Sequence, residues 1–309
     1  MNQSVAVSGR PVLVDCDSPS VIPGSPDEWI FHYTNLDTLE KILTNRTLRF
    51  SRVDTFDDGR EAEAFSGDLA KKFFASCWTC DEGDNPIAWR SFYTTRDTDQ
   101  SKRIRIAVRK KPFRYSRRGV ESMDGRVGLL DAEMAMPFRF TDMHTDDYSI
   151  SRMNMTRADW FGRRVSYVDN VERFYDERIV RAEDGSLTLQ YVQDFATHKE
   201  VGWDRQAEYR FVLMAGPRIG GVGVDDESSM GMGEALSVIF GEADAIKRCR
   251  FPDVTHIDMP ISMDAISDMR VLLGPLFALE SVDYVTRLIR AHCPSASLAR
   301  SAFTGRMVL

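Results

Sequence analysis

The sequence predicts an α+β fold, on three observations. Strand-forming and helix-patterned segments follow one another irregularly, without the steady βαβ alternation of a doubly wound sheet. Hydrophobic residues make up 43% of the 309 residues and aromatics 10%, enough for a sizeable core. No internal repeat or low-complexity stretch divides the chain. A single body is therefore expected over residues 28–309. A flexible arm over residues 1–27, mixing polar residues, Gly and Pro, precedes it.

The elements follow in order. Trp29-Ile30-Phe31-His32-Tyr33-Thr34 is rich in strand formers. Thr34-x-x-Asp37 has the spacing of a capping box, and Leu36, Leu39, Ile42 and Leu43 recur on one helical face that Asn45 can close. Thr47 to Ser51 reads as a second strand, and Phe56-Asp57-Asp58-Gly59 as a turn. Glu61 to Lys71 reads as helix and Phe73 to Trp78 as strand. After a turn at Gly83 to Pro86 comes a short helix with Ile87, Trp89, Phe92 and Tyr93. Arg103-Ile104-Arg105-Ile106 alternates as a half-buried strand does. Residues 110–163, rich in Met, Arg and Asp, show no period and read as an insertion. Beyond them, strands are expected at Val165 to Val168, Glu208 to Met214, Leu236 to Phe240 and Met269 to Leu273. Helices are expected at Leu187 to Glu200 and Glu280 to Ala291.

Composition narrows the function classes. The formal net charge is −7, which speaks against a general nucleic-acid coat, although Arg103 to Arg118 is locally basic. No run of about 18 uncharged apolar residues is present, and the N-terminus lacks a basic region followed by an apolar one. With five cysteines, an odd count, the expected setting is reducing and cytoplasmic. Cys77 and Cys80 form one C-x-x-C pair, but no second pair or histidine cluster completes a four-ligand metal site, so none is expected.

Three clusters can carry chemistry. His32, at the end of a strand, can bond a sugar hydroxyl or act as a base; the plainer reading is a core imidazole. Trp89 and Tyr93, four apart on a helix, can stack a planar or cationic ring; aromatics at this spacing also build cores. Gln206 and Glu208, two apart at a strand's start, share a face. A carboxylate there can stabilise positive charge at a ribose C1′, or pair with an arginine.

Taken together, histidine, aromatic ring and Gln-x-Glu in that chain order resemble the signature of the ADP-ribosyltransferase superfamily. The resemblance implies split mixed β-sheets flanked by helices, with NAD as substrate in a cleft between them. It implies that His32 binds ribose, that Tyr33, Trp89 or Tyr93 contacts nicotinamide, and that Ser51 joins the NAD contacts. Glu208 would be catalytic and Gln206 would help place the acceptor, a nucleic acid or a protein.

The chain also resembles the bacterial domain-of-unknown-function family 2971, over about residues 28–302. Four segments carry that likeness: His32-Tyr33-Thr34 with Leu39, Ile42 and Leu43; Leu48-Arg49-Phe50-Ser51 with Phe56-Asp57-Asp58; Ser76-Cys77-Trp78 with Asn85-Pro86 and Trp89 to Tyr93; and Lys199 through Trp203 to Glu208-Tyr209-Arg210. Leu272-Leu273-Gly274-Pro275, a helix and a last strand near Ser301 fit its ending. This chain has Asp57-Asp58-Gly59-Arg60 where that family usually has Asn-Asp-Pro-Phe, and Gln206 where it usually has Glu. A toxin-like or phage-defence role is the expectation that comes with these likenesses. A non-catalytic nucleotide- or partner-binding module is the alternative, and NAD hydrolysis with water as acceptor is a third reading.

Overall fold

The computed structural model describes residues 12–16, 28–56, 58–64, 67–91, 99–113, 116–121, 135–152, 155, 158–219 and 232–307. Its centre is a mixed ten-stranded sheet flanked by helices. In chain order the strands are β1 (Trp29–Asn35), β2 (Thr47–Arg52), β3 (Phe73–Thr79), β4 (Arg103–Arg109) and β5 (Ser149–Ser151). They continue with β6 (Gly162–Arg164), β7 (Glu208–Gly216), β8 (His256–Pro260), β9 (Arg270–Leu273) and β10 (Ser297–Arg300). Every pairing in this sheet is antiparallel except β9 with β10.

The sheet forks at β3. One edge of β3 pairs with β7 along its whole length, from Thr79 opposite Glu208 to Phe73 opposite Met214. The other edge is shared. Phe74 and Ala75 pair with Arg52 and Ser51 of β2, whereas Thr79 pairs with Phe31 of β1. Among the described residues no strand pairs with Ser76, Cys77 and Trp78 on that edge. From there β1 leads through β4 to β9 and β10, and β2 leads to β8. The expectation of two separate sheets therefore becomes one sheet with a gap between β1 and β2.

Helix α1 (Leu36–Asn45) joins β1 to β2 across this gap. Its cap is Asn35, whose Oδ1 accepts from the Thr38 amide at 2.8 Å, not the expected Thr34. The shift has a simple cause: β1 stays paired with β4 as far as Asn35 opposite Arg103, so Thr34 remains in the strand. Leu36, Leu39, Ile42 and Leu43 bury the apolar stripe of α1, beside Val285, Leu288 and Ile289 of α6 (Val282–His292). Between these come α2 (Gly59–Ala64), α3 (Pro86–Ser91), α4 (Val171–Asp176) and α5 (Met232–Lys247).

Strand β7 is buried over all nine residues and divides two apolar clusters by its alternation. Tyr209, Phe211, Leu213 and Ala215 join the larger cluster, with Phe50, Phe113, Phe138 and Phe161. Val212 and Met214 join the smaller one, with Phe73, Tyr175 and Phe195. Each fully buried side chain of this size contributes about 1.5–3 kcal/mol of transfer free energy. Gly162 lets β6 approach, since a Cβ there would lie 2.6 Å from the Phe211 ring.

Several expected elements differ. Leu187 to Glu200 is not a helix but a strand Leu187–Leu189, a 3₁₀ turn Val192–Asp194 and a strand His198–Glu200. Leu236 to Phe240 is not a strand; it lies within α5. The expected arm contributes a strand, Val12–Cys16, paired with Ser116–Glu121, and its remaining residues lie outside those described. The 110–163 stretch sends β5 and the start of β6 to the free edge of β7. Among the described residues, no helix is long and apolar enough to cross a membrane.

Candidate functional site

The gap in the sheet is the floor of a cavity of about 620 Å³. β1 brings His32 and Tyr33 to it, β2 brings Ser51, and the segment leading into β7 brings Gln206 and Glu208. Five of the seven expected site residues thus meet in one place, although the chain separates His32 from Glu208 by most of the fold.

His32 is fixed from below. Its Nδ1 lies 2.9 Å from the carbonyl of Cys77, one of the β3 residues that no described strand pairs on the forked edge. A carbonyl can only accept, so Nδ1 carries the proton and Nε2 is the acceptor nitrogen. Burial pushes its pKa down, only partly offset by the Cys77 bond, which keeps the ring neutral. Nε2 can therefore accept a bond from a hydroxyl but has no proton to donate to one.

Gln206 and Glu208 converge by a route other than strand alternation. Gln206 ends a 3₁₀ turn, Val201–Gln206, and Glu208 begins β7. Ala207 between them adopts φ 45°, ψ 46°, a left-handed conformation that costs a non-glycine residue about 1 kcal/mol or more. Surrounding bonds hold it: Thr79 Oγ1 donates to the Gln206 carbonyl at 2.7 Å, and the Cys80 amide donates to the Ala207 carbonyl at 2.8 Å. The Glu208 amide donates to Tyr167 Oη at 3.0 Å.

Glu208 sits in a buried group of four charges that the sequence did not announce. Arg210 Nε donates to Glu208 Oε1 at 2.7 Å and Arg210 Nη2 to Oε2 at 3.2 Å. Lys199 Nζ donates to Glu208 Oε2 at 3.2 Å and to Gln206 Oε1 at 3.1 Å. Glu61 of α2 closes the group: Arg210 Nη2 donates to it at 3.0 Å, and Nη1 bonds it as well. Arg210 Nη1 also donates to the Ala196 carbonyl at 2.9 Å. Glu61 and Arg210 are each 1% exposed and Glu208 4%. Burial alone would raise the Glu208 pKa. The Arg210 and Lys199 charges outweigh it and hold the carboxyl down at about 2. It is a carboxylate at any ordinary pH. Arg210, though buried, is raised well above its usual value by Glu208 and Glu61.

Trp203 completes the site from the exposed side. It is 41% exposed, lines the cavity, and its ring centroid lies 5.0 Å from Lys199 Nζ. The resemblance gave the ring contact to Tyr33, Trp89 or Tyr93, and of these Tyr33 lines the cavity. Trp89 does not line the cavity: it is 1% exposed, its Nε1 donates to Asp84 Oδ1 at 2.7 Å, and it packs edge-on against Tyr33 at 4.8 Å. Trp89 thus supports Tyr33 from behind, as aromatics at helical spacing commonly do. Tyr93 lies outside the described residues.

The basic run from Arg103 is largely engaged where it is described. Arg103 is buried and donates to the Trp89 carbonyl at 2.7 Å; Arg105 donates to the Gly83 carbonyl at 2.6 Å; Arg109 pairs with Asp268 at 2.5 Å; Lys110 pairs with Glu28. Cys77 and Cys80 are free thiols, both raised in pKa by burial. Among the described residues, no group of three or more His, Cys, Asp and Glu side chains is placed to hold a metal.

No family model, no curated protein and no solved structure matches this chain.

Proposed function

We propose that this chain is an NAD-dependent ADP-ribosyltransferase, of the split-sheet kind its sequence resembles, acting on a nucleic-acid or protein acceptor. One observation carries the reading: His32 of β1 and Glu208 of β7, strands on opposite edges of β3, line a single cavity of about 620 Å³. That volume lies within the ~300–1,000 Å³ usual for ligand pockets. The lining suits a dinucleotide, with hydroxyls from Ser51 and Thr55, an acceptor nitrogen on His32, an ionised carboxylate and an exposed indole.

Bound NAD supplies the bond to be broken, between the nicotinamide nitrogen and ribose C1′, and positive charge grows on that carbon as the bond opens. Glu208 offers a fixed negative charge to that carbon and accepts a bond from the neighbouring ribose hydroxyl. His32 Nε2 accepts from a second hydroxyl, which sets the depth of the ribose. Tyr33, backed by Trp89, and Trp203 supply ring faces. Gln206 stands beside Glu208, where the acceptor approaches.

The engagement of both Glu208 oxygens by Arg210 and Lys199 favours the second reading, a nucleotide-binding module without turnover. One experiment separates the two. The protein is incubated with NAD labelled in its adenylate half and with cell extract, and free nicotinamide and macromolecule-bound label are followed. Wild type should release nicotinamide and transfer label, and Glu208→Gln should do so at least about a hundredfold more slowly. Nuclease or protease treatment of the labelled product gives the acceptor class, and free ADP-ribose alone would mean hydrolysis. Equal release from wild type and Glu208→Gln would remove Glu208 from the chemistry.

A further inference from the structure

The ammonium of Lys199 sits in the cleft between Gln206 and Glu208. Its Nζ lies 3.1 Å from Gln206 Oε1, 3.2 Å from Glu208 Oε2 and 3.9 Å from Glu61 Oε2. The face of Trp203 lies 5.0 Å away. A carboxylate, an amide oxygen and an indole around one point form a cage for a positive charge. With Trp203 41% exposed, one wall of this cage meets solvent. Glu61 and Glu208 balance Arg210 and Lys199, so the group is neutral as it stands. Without the lysine it carries one net negative charge.

We propose that Lys199 is an internal plug in a cation cage made by Gln206, Glu208 and Trp203, and that a ligand's pyridinium ring displaces it. This rests on the reading of the cleft as an NAD site and says how that site is regulated. Arg210 cannot leave in the same way, since Glu61 and the Ala196 carbonyl hold it. Lys199 has a long flexible stem and an open side to move into. Its departure leaves Glu208 Oε2 with a single bond, from Arg210 Nη2, at the moment a cation arrives, so binding opens one side of the carboxylate. An uncharged ring has nothing to exchange for the ammonium and leaves the plug in place.

The test uses the full chain and two small probes, the 1-methylnicotinamide cation and uncharged nicotinamide, each titrated calorimetrically into wild type and Lys199→Met. The variant should bind the cation about tenfold more tightly than wild type, because a competing charge has gone, while the neutral probe binds both alike. Adding Trp203→Ala should return the cation to about wild-type affinity. Thermal melts check folding, and Lys199→Gln takes the place of the Met variant if that chain does not fold. An equal gain for both probes, no gain for the cation, or no detectable cation binding to either chain overturns the plug. Neither probe contains ribose. Tighter cation binding with no nicotinamide release from NAD would therefore sink the transferase reading and keep the plug, and release without that gain would do the reverse.

Discussion

The two ends of β7 place buried carboxyls in opposite states. At its start, Glu208 is held down at about 2 by Arg210 and Lys199, against the pull of burial. At its far end, Met214, Ala215 and Gly216 line a cavity of about 10 Å³, room for about one water, faced by Glu242 of α5. Burial there pushes Glu242 up to about 7, and the Arg152 charge and a 3.4 Å bond from Ser151 Oγ bring it only partly back. Its Oε1 has no hydrogen-bond partner among the described residues. Lys72, on the same cavity, is pushed down to about 8 by burial, its Nζ bonding the carbonyls of Ala245 and Arg250. Similar burial thus leaves Glu208 ionised at any ordinary pH and keeps Glu242 mostly protonated below about pH 7. The difference lies in the countercharges. Only the first end offers the fixed negative group that stabilising a developing cation requires.

The largest test of this contrast is Arg210→Met. Glu61 and Glu208 would face each other buried, with only Lys199 to share. A loss of about 3–5 kcal/mol is expected, read as a lower denaturation midpoint. A loss within about 1 kcal/mol would show that the four charges are not coupled.

Acid and base should then move the two ends in opposite directions. Glu208 falls from an ordinary 4.5 to about 2 on folding. Its contribution of about 3 kcal/mol is present above pH 4.5 and fades as pH drops toward 2. Glu242 rises from 4.5 to about 7 on folding. It therefore binds its proton more tightly when folded, favours the fold below pH 4.5, and loses up to about 3 kcal/mol as pH climbs toward 7. Glu242→Gln, which cannot ionise, should gain on wild type between pH 4 and pH 8, and Glu208→Gln should lack the acid-side loss. Parallel stability curves for wild type and Glu242→Gln would break the contrast.

How much the sequence disclosed follows the same division between local and distant causes. β1, α1 and β2 were legible because their patterns are local: strand formers from Trp29, then a stripe at Leu36, Leu39, Ile42 and Leu43, all buried as expected. Leu187, Tyr191, Phe195 and His198 mimic a helical stripe, but Tyr191 takes φ 54° and is 63% exposed, so the spacing is accidental. Residues 236–240 misled in the other direction, since a short apolar run does not distinguish strand from buried helix. In the site, His32, Gln206 and Glu208 stood out by type and order, Tyr33 and Ser51 came only through the resemblance, and all five line the cavity. Glu61 and the role of Lys199 were not legible, because their meaning comes only from side chains that the fork brings together. The Arg-to-Glu208 pairing was visible as an option, and it coexists with the cleft instead of replacing it.

The central claim is that the fork holds NAD between His32 and Glu208, and calorimetric titration of NAD addresses it most directly. One NAD per chain should bind wild type, and His32→Phe, shown by thermal melting to be folded, should bind at least about tenfold more weakly for want of the Nε2 acceptor. Absence of binding to wild type, or equal binding by both chains, would contradict it.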